Sequence, residues 1–201
     1  MSMEQGNEQQ EYRERLLAAA EKLMLQVGLS EINTEVLRQE AGLSKEVFND
    51  IFDNLMETGT PVLQRLLLRF EAEANAEPTL PGKLELFMVR AIRLMSENGL
   101  PIIRAWIRGA LNMEQTSGMT VVFTFWDILG RFFERSLEEG LLVDDTPVKN
   151  FVNTLSAEFF GTLFCWCIMN GQAIDPEHTI HNYCQRDLPV LLNPYYAASA
   201  G

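Results

Sequence analysis

Four residues, Ala41-Gly42-Leu43-Ser44, separate two short stretches that have the apolar spacing of helices. The first stretch runs from Thr34 to Ala41 after Asn33, and the second runs from Lys45 to Phe52 after Ser44. Asn and Ser are favoured N-caps because their side chains accept a hydrogen bond from the first turn of a helix. Two short helices joined by a tight turn that contains glycine are typical of a helix-turn-helix. The sequence therefore predicts this motif over residues 34–52.

A longer amphipathic helix precedes the motif. It begins at about Glu11 and ends before Gly28, a residue type that often caps the C-terminus of a helix. Residues 1–10 are polar and rich in Gln and Glu, so we expect a flexible tail there. The apolar residues on one face of this helix are Leu16, Ala20, Leu23, Met24 and Val27.

The rest of the chain repeats one pattern, in which amphipathic helices alternate with short Gly- or Pro-containing breaks. Thr60 and Pro61 predict the start of a helix, because proline is favoured at the first helical position. The sequence thus predicts an all-α protein of about nine helices, with a flexible tail over 1–10, a helix-turn-helix headpiece over 11–60 and a larger helical body over 61–201. The helices expected in the body are about Pro61–Ala76, Gly82–Glu97, Pro101–Leu111, Gln115–Glu139, Thr146–Asn170 and Pro176–Leu192.

Net charge and cysteine content indicate which partners and which cellular compartment suit the protein. The chain has 16 Lys and Arg residues against 28 Asp and Glu residues, a net charge of −12 that repels nucleic acid at long range. Its 3 cysteines do not form an even-numbered disulfide framework, which favours the reducing cytoplasm. No signal peptide pattern is present at the start, and the apolar stretch Phe151–Met169 carries Glu158 and polar residues that favour a buried helix over a membrane span.

The forty residues from Arg13 to Phe52 resemble the DNA-binding domain of the TetR family of bacterial transcriptional regulators. The resemblance implies an all-α homodimer that binds DNA through the helix-turn-helix and a small molecule in the body. The residues that carry it are Ala19-Ala20, Gly28, Ala41-Gly42, Ser44 and Phe52. The residues that it places at the DNA surface are Thr34, Ser44, Lys45, Val47, Asn49 and Asp50.

The headpiece departs from the family pattern in charge. Asn49 stands where family members usually carry an aromatic residue, Asp50 where they carry a basic or neutral one, and no Lys follows shortly after Phe52. Between Gly28 and Thr60 two basic residues face seven acidic ones, a local net charge of −5. Affinity for DNA comes largely from Lys and Arg that neutralise phosphates. A second interpretation is therefore an interaction protein with this fold that has lost DNA contact and acts through a protein partner or a small molecule.

The body is rich in aromatic residues, most of which we expect to fill the core. A few of them could line an apolar cleft for a small apolar or aromatic ligand, since binding pockets are commonly lined in this way. Arg104 and Arg108 lie four residues apart on one helix face and give such a cleft polar groups, although a solvated stripe explains them equally well. The candidate ligand-binding residues are Arg104, Trp106, Arg108, Phe123, Trp126, Asp127 and Trp166.

The last two long helices resemble the pair that forms the dimer interface in this family. One apolar stripe there and one line of small residues suit close packing against a second copy, and burial of the stripe within one chain is the alternative. The stripe comprises Val152, Leu155, Phe159, Thr162, Leu163 and Trp166, and the small residues are Ala157, Gly161 and Cys165.

The sequence shows no motif that predicts catalysis. It contains no phosphate-binding glycine loop, no zinc-protease motif and no nucleophile elbow. His178, His181 and Cys184 are spaced at three residues and could lie on one helix face, but such spacing near the end of a chain often arises by chance. We expect no enzyme activity, no cofactor and no metal site.

Overall fold

The computed structural model describes residues 3–27, 32–52, 55–97, 99–100, 103–104, 107 and 116–197, with side chains throughout these ranges except at 3–7, 55–58 and 116–118. Within these ranges the chain forms eight α-helices and no β-strand beyond an isolated pairing of Leu142 with Tyr196. The helices are α1 Met3–Val27, α2 Thr34–Ala41, α3 Lys45–Ile51, α4 Leu55–Ala74, α5 Leu80–Glu97, α6 Thr116–Glu138, α7 Val148–Ile168 and α8 Pro176–Leu192.

The all-α prediction is confirmed, and the helix count is close to the expected nine. Most of the helix expected over residues 101–111 lies outside the described residues, as does the C-cap expected at Gly28. The chain divides into two compact units, one formed by residues 1–66 and 97–121 and the other by residues 67–96 and 122–201. The boundary that we expected at Pro61 falls inside α4, whose first turns belong to the first unit.

Two helices begin earlier than the sequence predicted. α1 begins at Met3 rather than Glu11, because Gln and Glu have high helix propensity and pair across one turn, as Gln10 does with Glu14 at 3.4 Å. α4 begins at Leu55 and includes Pro61 in its interior, so Thr60 and Pro61 do not start it. Proline costs about 3 kcal/mol within a helix. The residues that follow the proline on the inner face of α4, Val62, Leu66 and Leu67, are fully buried.

The first unit encloses a small apolar core. The face of α1 that carries Leu16 and Leu23 is buried, and Leu37 of α2 is fully buried. From α3, Phe48 and Ile51 are buried, and the Phe48 ring stacks on Phe52 with centroids 4.7 Å apart. Burial of each such side chain stabilises the fold by about 1.5–3 kcal/mol. This packing fixes which face of α3 remains at the surface.

The second unit is built around phenylalanine rings. Phe125 of α6 lies 4.4 Å from Phe159 of α7 and 5.2 Å from Phe87 of α5, measured between ring centroids. Phe133 of α6 stacks on Phe151 of α7 at 5.2 Å. These tilted and stacked geometries favour aromatic pairs beyond the area they bury. The expectation that most aromatic residues of the body fill its core is met by these rings.

Helix α7 is apolar on most of its surface. It is long and apolar enough to cross a membrane by length and composition alone, and half of its apolar stretch is buried inside the protein. The stripe that includes Leu155, Phe159 and Leu163 faces the interior, which is the second of the two interpretations offered above. The line of small residues lies on the outer face, where Gly161 and Cys165 are exposed.

Candidate nucleic-acid surface and ligand groove

The turn between α2 and α3 is fixed by three local features. Asn33 accepts a hydrogen bond from the backbone N–H of Val36 at 2.9 Å, so the predicted N-cap of α2 is confirmed. Gly42 ends α2 in the left-handed conformation, with φ at 63°, which residues with a Cβ rarely adopt. Ser44 caps α3 by accepting a hydrogen bond from the N–H of Val47 at 3.3 Å, as predicted.

A side chain from α1 holds the same turn in place. The Arg15 guanidinium donates from Nη2 to the carbonyl oxygens of Ala41 and Gly42, at 2.9 Å and 2.6 Å, and from Nε to that of Ala41 at 3.2 Å. The last carbonyls of a helix have no partner within it, so these bonds satisfy the C-terminal end of α2. A Cβ at Gly42 would lie 2.9 Å from Arg15 Nη2. We call this arrangement the Arg15 clasp.

The outer face of α3 is polar. Lys45, Asn49 and Asp50 are exposed and Val47 is half-buried, while Phe48 and Ile51 face the core. Thr34, at the start of α2, is exposed as well. The six residues predicted at the DNA surface therefore have the following placement: four are exposed side chains, one is half-buried, and Ser44 is an exposed residue whose hydroxyl caps α3.

Much of the positive charge in the headpiece is already bound within it. The Arg38 guanidinium donates to both carboxylate oxygens of Glu35, at 2.6 Å and 3.0 Å, and to the carbonyl of Leu43 at 2.7 Å. The bonds from Arg38, and then from Gln39, lower the pKa of Glu35 to about 2, so the pair stays charged at neutral pH. Lys22 Nζ lies 2.6 Å from a carboxylate oxygen of Glu40.

Two cations of the headpiece, Arg13 and Lys45, have neither an ion pair nor a side-chain hydrogen bond among the described residues, whereas Arg15 is bound to backbone carbonyls; both Arg13 and Lys45 are exposed. Next to Lys45, the Glu46 carboxylate accepts hydrogen bonds from its own backbone N–H and from Ser44, and these bonds lower its pKa. The surface around α3 therefore presents one lysine beside two carboxylates, those of Glu46 and Asp50. The sequence showed that acidic residues outnumber basic ones in the headpiece. It did not show that Arg38 and Lys22 are bound to carboxylates of the headpiece and so are not available to phosphate.

A second candidate site lies in the second unit, where α6 and the first turns of α7 border a cleft of about 590 Å³. This volume is within the usual range for small-molecule sites. We call it the α6–α7 groove, and its lining residues are Trp126, Asp127, Gly130, Arg131, Glu134, Val148, Lys149, Val152 and Asn153.

Arg131 connects the groove to α4. Its guanidinium donates to both carboxylate oxygens of Glu71, at 2.8 Å and 2.6 Å. Glu71 is only 7% exposed and is also reached by Arg135 at 3.5 Å. The hydrogen bond to Glu71 raises the pKa of Arg131, with smaller contributions from the charges of Asp127 and Glu134. Arg131 is therefore a charged residue whose main partner is internal.

The predicted ligand-binding residues do not all meet in this groove. Trp126 and Asp127 line it, and the Phe123 ring, which is 50% exposed, lies edge-on to Trp126 at 5.8 Å. Trp166 is buried in α7, fourteen residues beyond Val152 and so about 21 Å farther along the helix. Arg104 belongs to the first unit, and Trp106 and Arg108 lie outside the described residues.

Sequence reasoning missed Gly130, Arg131, Glu134 and Lys149 as groove residues. The α6 residues among them recur with Trp126 at spacings of three to four residues, which places them on one face. That spacing was available in the sequence, but it does not reveal that a second helix borders this face.

Other polar and reactive groups of the second unit are placed as follows. His181 Nδ1 lies 2.8 Å from Glu85, and His178 bonds to Asn182 at 2.9 Å. Cys184 is buried, and burial raises the pKa of its thiol to about 12. Among the residues that the structure describes, no cluster of three or more His, Cys, Asp or Glu side chains has the arrangement of a metal site.

The outer face of α7 carries exposed apolar side chains. Phe164 is 47% exposed and Ile168 is 61% exposed, next to the small residues Gly161 and Cys165. Large apolar groups side by side on a helix surface often mark a protein–protein contact. This face is the candidate dimer surface of the chain.

No protein-family model and no curated protein matches the sequence. Solved structures do match the fold. A TetR-family regulator from Rhodococcus sp., described as putative in its structure report, superposes with a TM-score of 0.60 at 13% identity, over 90% of this chain and 98% of that one. A TetR-family transcriptional regulator from Streptomyces coelicolor gives a TM-score of 0.58 at 19% identity, over 96% of this chain and 83% of that one.

A third solved structure contains a ligand. It is the transcriptional regulator FadR from Bacillus subtilis in complex with stearoyl-CoA, with a TM-score of 0.53 at 15% identity over 85% of this chain and 95% of that one. At such low identity the likeness concerns the fold. The chain therefore has the fold of TetR-family transcriptional regulators, as the resemblance over Arg13–Phe52 suggested.

Proposed function

We propose that the protein is a cytoplasmic, ligand-responsive transcriptional regulator that binds DNA as a homodimer through α2 and α3. The observation that carries this proposal is the preserved geometry of the helix-turn-helix. Both helices are capped, the turn is held by the Arg15 clasp, and α3 buries Phe48 and Ile51 while exposing Asn49. In such motifs the exposed residues of the second helix contact base edges in the major groove.

The roles within the DNA surface follow from the chemistry of each side chain. Lys45 neutralises a phosphate, and Thr34 lies at the start of α2, where hydroxyl and N–H groups can also bind phosphate; Ser44 acts by capping α3. Asn49 can form two hydrogen bonds with adenine, and Asp50 can accept one from cytosine N4. Val47 supplies an apolar contact beside them. Asn49 and Asp50 would then determine which bases are recognised. The affinity for the phosphate backbone would depend on a small number of cations, Lys45 among them.

Dimerisation is expected through α7 and α8. The exposed Phe164 and Ile168 side chains give α7 an apolar surface, and Gly161 allows close approach because no atom lies within 4 Å of the place its Cβ would occupy. Two copies related by a twofold axis would bury the same surface on each chain. Phe164→Glu should produce a monomer in light scattering, while Leu141→Glu, at a similarly exposed apolar residue in a loop, should leave the dimer intact. A monomeric wild-type protein at micromolar concentration would overturn the dimer proposal.

Fluorescence anisotropy with the DNA upstream of the protein's own gene tests the DNA proposal. We expect Asn49→Ala to weaken binding to that DNA by about 1–3 kcal/mol and to leave non-specific DNA affinity unchanged. Lys45→Gln should weaken binding to every sequence and reduce the salt slope by about 1 per headpiece. Arg90→Gln removes an exposed positive charge from the second unit, outside the α6–α7 groove, and serves as the matched control. Equal effects of Lys45→Gln and Arg90→Gln would exclude a local role for α3.

A second candidate function is favoured by the charges of the headpiece. Arg38 and Lys22 are bound to carboxylates, and Arg15 is bound to backbone carbonyls, so three cations near the motif are unavailable to phosphate. A protein with this fold but without DNA affinity would act through a protein partner or through its small ligand. Absence of binding to any duplex at low ionic strength, in a folded dimer, would favour this function over the first.

A further inference from the structure

Four polar side chains connect α4 to α6 within the second unit. Glu71 accepts two hydrogen bonds from the Arg131 guanidinium, from Nε at 2.8 Å and from Nη2 at 2.6 Å. One turn farther along, Arg135 Nη1 donates to Asn75 Oδ1 at 2.6 Å. Asn75 directly follows α4 and extends its last turn, since its N–H donates to the Glu71 carbonyl at 3.0 Å. We call these four residues the Glu71 ladder.

Glu71 is the most deeply buried member of the ladder. It is 7% exposed, and Arg135 also reaches its carboxylate at 3.5 Å. A buried carboxylate without a partner strongly destabilises a fold. The two arginines are only half-buried, so each of them can turn to water if its partner is removed. Glu71 is therefore restricted to positions where it meets an arginine.

The spacing of the ladder favours one register of α4 against α6. Glu71 and Asn75 are four residues apart, as are Arg131 and Arg135, so each pair lies on one face of its helix. A shift of α4 by one turn toward the end of α6 would place Glu71 opposite Arg135 and the buried, apolar Leu67 opposite Arg131. Arg131 would then lose its acceptor.

A shift in the other direction is unfavourable for a different reason. It would bring Glu71 opposite Asp127, which lies one turn before Arg131 on α6, and two carboxylates repel each other. Buried polar groups that can pair in one arrangement only are a known means of fixing the register of packed helices. The observed register is the one that gives both arginines an oxygen acceptor.

The ladder lies close to the point where α4 passes from one unit to the other. Residues up to Leu66 belong to the first unit, and residues from Leu67 onward belong to the second. Glu71 is one turn beyond Leu67. The helix is therefore bound to α6 immediately after it enters the second unit.

We propose that Glu71 is a positioning residue for DNA binding, because the ladder fixes the register of α4 on α6 and α4 continues into the unit that contains the headpiece. A dimer binds its site only if its two headpieces match the spacing of the half-sites. Glu71 would thus contribute to DNA affinity without contacting DNA. This inference rests on the proposed function and goes beyond it by naming a residue outside the DNA surface on which affinity depends.

Replacement of the ion pair by two methionines separates positioning from stability. An apolar pair of similar size often matches the stability of a buried ion pair, but methionine is flexible and forms no directional bond. We expect the double variant Glu71→Met, Arg131→Met to keep the urea midpoint of the wild type. Its affinity for the upstream DNA should fall by roughly fivefold or more. Hydrogen exchange of residues 67–74 should become roughly tenfold faster, because this part of α4 opens locally.

Two further variants complete the test. Asn75→Ala removes the second rung at an exposed residue and leaves no buried charge unpaired, so the fold is kept. It should weaken DNA binding in the same direction as the double variant, but less. Glu177→Gln removes an ion pair between α5 and α8, which does not involve α4. It should leave DNA affinity and the exchange of residues 67–74 unchanged.

Each outcome decides the proposal. Wild-type DNA affinity in the folded double variant would overturn the positioning role, and so would an equal loss of affinity in Glu177→Gln. If the wild-type protein binds no duplex, the proposed function fails and the positioning role fails with it. Hydrogen exchange contains no DNA and still tests the register in that case: faster exchange in the double variant would support it, and unchanged exchange would refute it.

Discussion

Substitution of Gly42 tests how the Arg15 clasp holds the helix-turn-helix. Alanine at this position has to adopt a φ of about 63°, which costs an L-residue about 1–2 kcal/mol. Its Cβ would also lie 2.9 Å from Arg15 Nη2, and that nitrogen donates to both Ala41 and Gly42. Moving the guanidinium loses at least one of these bonds, at about 1 kcal/mol. Reduced entropy of the unfolded chain returns about 0.4–1 kcal/mol. We expect a net destabilisation of about 2 kcal/mol.

Two other glycines supply the controls for this substitution. Gly140 has a φ of 67° and no atom within 4 Å of its would-be Cβ, so Gly140→Ala measures the conformational cost alone. Gly130 lies inside α6 with equally open surroundings and without a positive φ, so Gly130→Ala should stabilise by about 0.5–1 kcal/mol. Urea unfolding of each variant gives these differences, and hydrogen exchange of residues 43–51 locates the effect of Gly42→Ala. If Gly42→Ala costs no more than Gly140→Ala, the clasp contributes nothing and the reasoning is refuted.

Two further predictions concern ion pairs. Arg93 donates a hydrogen bond to Glu177 and lowers the pKa of that carboxyl group. The ion pair therefore stabilises the fold above the pKa of Glu in the unfolded chain, about 4.3. This stability is lost as the pH falls through the lower pKa of Glu177 in the folded protein. Glu177→Gln should therefore reduce the free energy of unfolding by up to about 1 kcal/mol at pH 7 and by progressively less as the pH falls, as urea titrations at a series of pH values would show. Glu35→Gln should release Arg38 for phosphate, so the slope of log affinity against log salt should become steeper by about 0.9 per headpiece. An unchanged slope would mean that Arg38 stays bound to the Leu43 carbonyl.

Local chemistry made part of the fold predictable. The N-caps at Asn33 and Ser44 and the start of α8 at Pro176, after Asp175, each depend on a few neighbouring residues. Such signals act within one helical turn, so they survive in the sequence. The helix-turn-helix was predicted because its two caps and its glycine occur at fixed spacing.

Features that depend on distant residues were less accessible. Pro61 predicted a helix start, but α4 begins six residues earlier at Leu55, so the proline lies inside the helix. The apolar pattern of α7 extends around most of the helix, so periodicity did not show which face is buried. The groove residues Gly130 and Lys149 lie on different helices, and only the folded chain brings them to one cleft. The bond between Arg38 and Glu35 likewise decides how much charge is available to DNA, which residue counting does not show.

The salt dependence of DNA affinity tests the central claim most directly. Among the described residues of the headpiece, Arg13 and Lys45 are the cations bound neither to a carboxylate nor to a carbonyl, so a dimer has up to four phosphate contacts from them. At about 0.9 per contact, we predict saturable binding to the upstream DNA at low ionic strength with a slope of log affinity against log salt of about −2 to −4. No binding at the lowest salt concentration, by a protein shown to be a folded dimer, would contradict the claim that this helix-turn-helix acts on DNA.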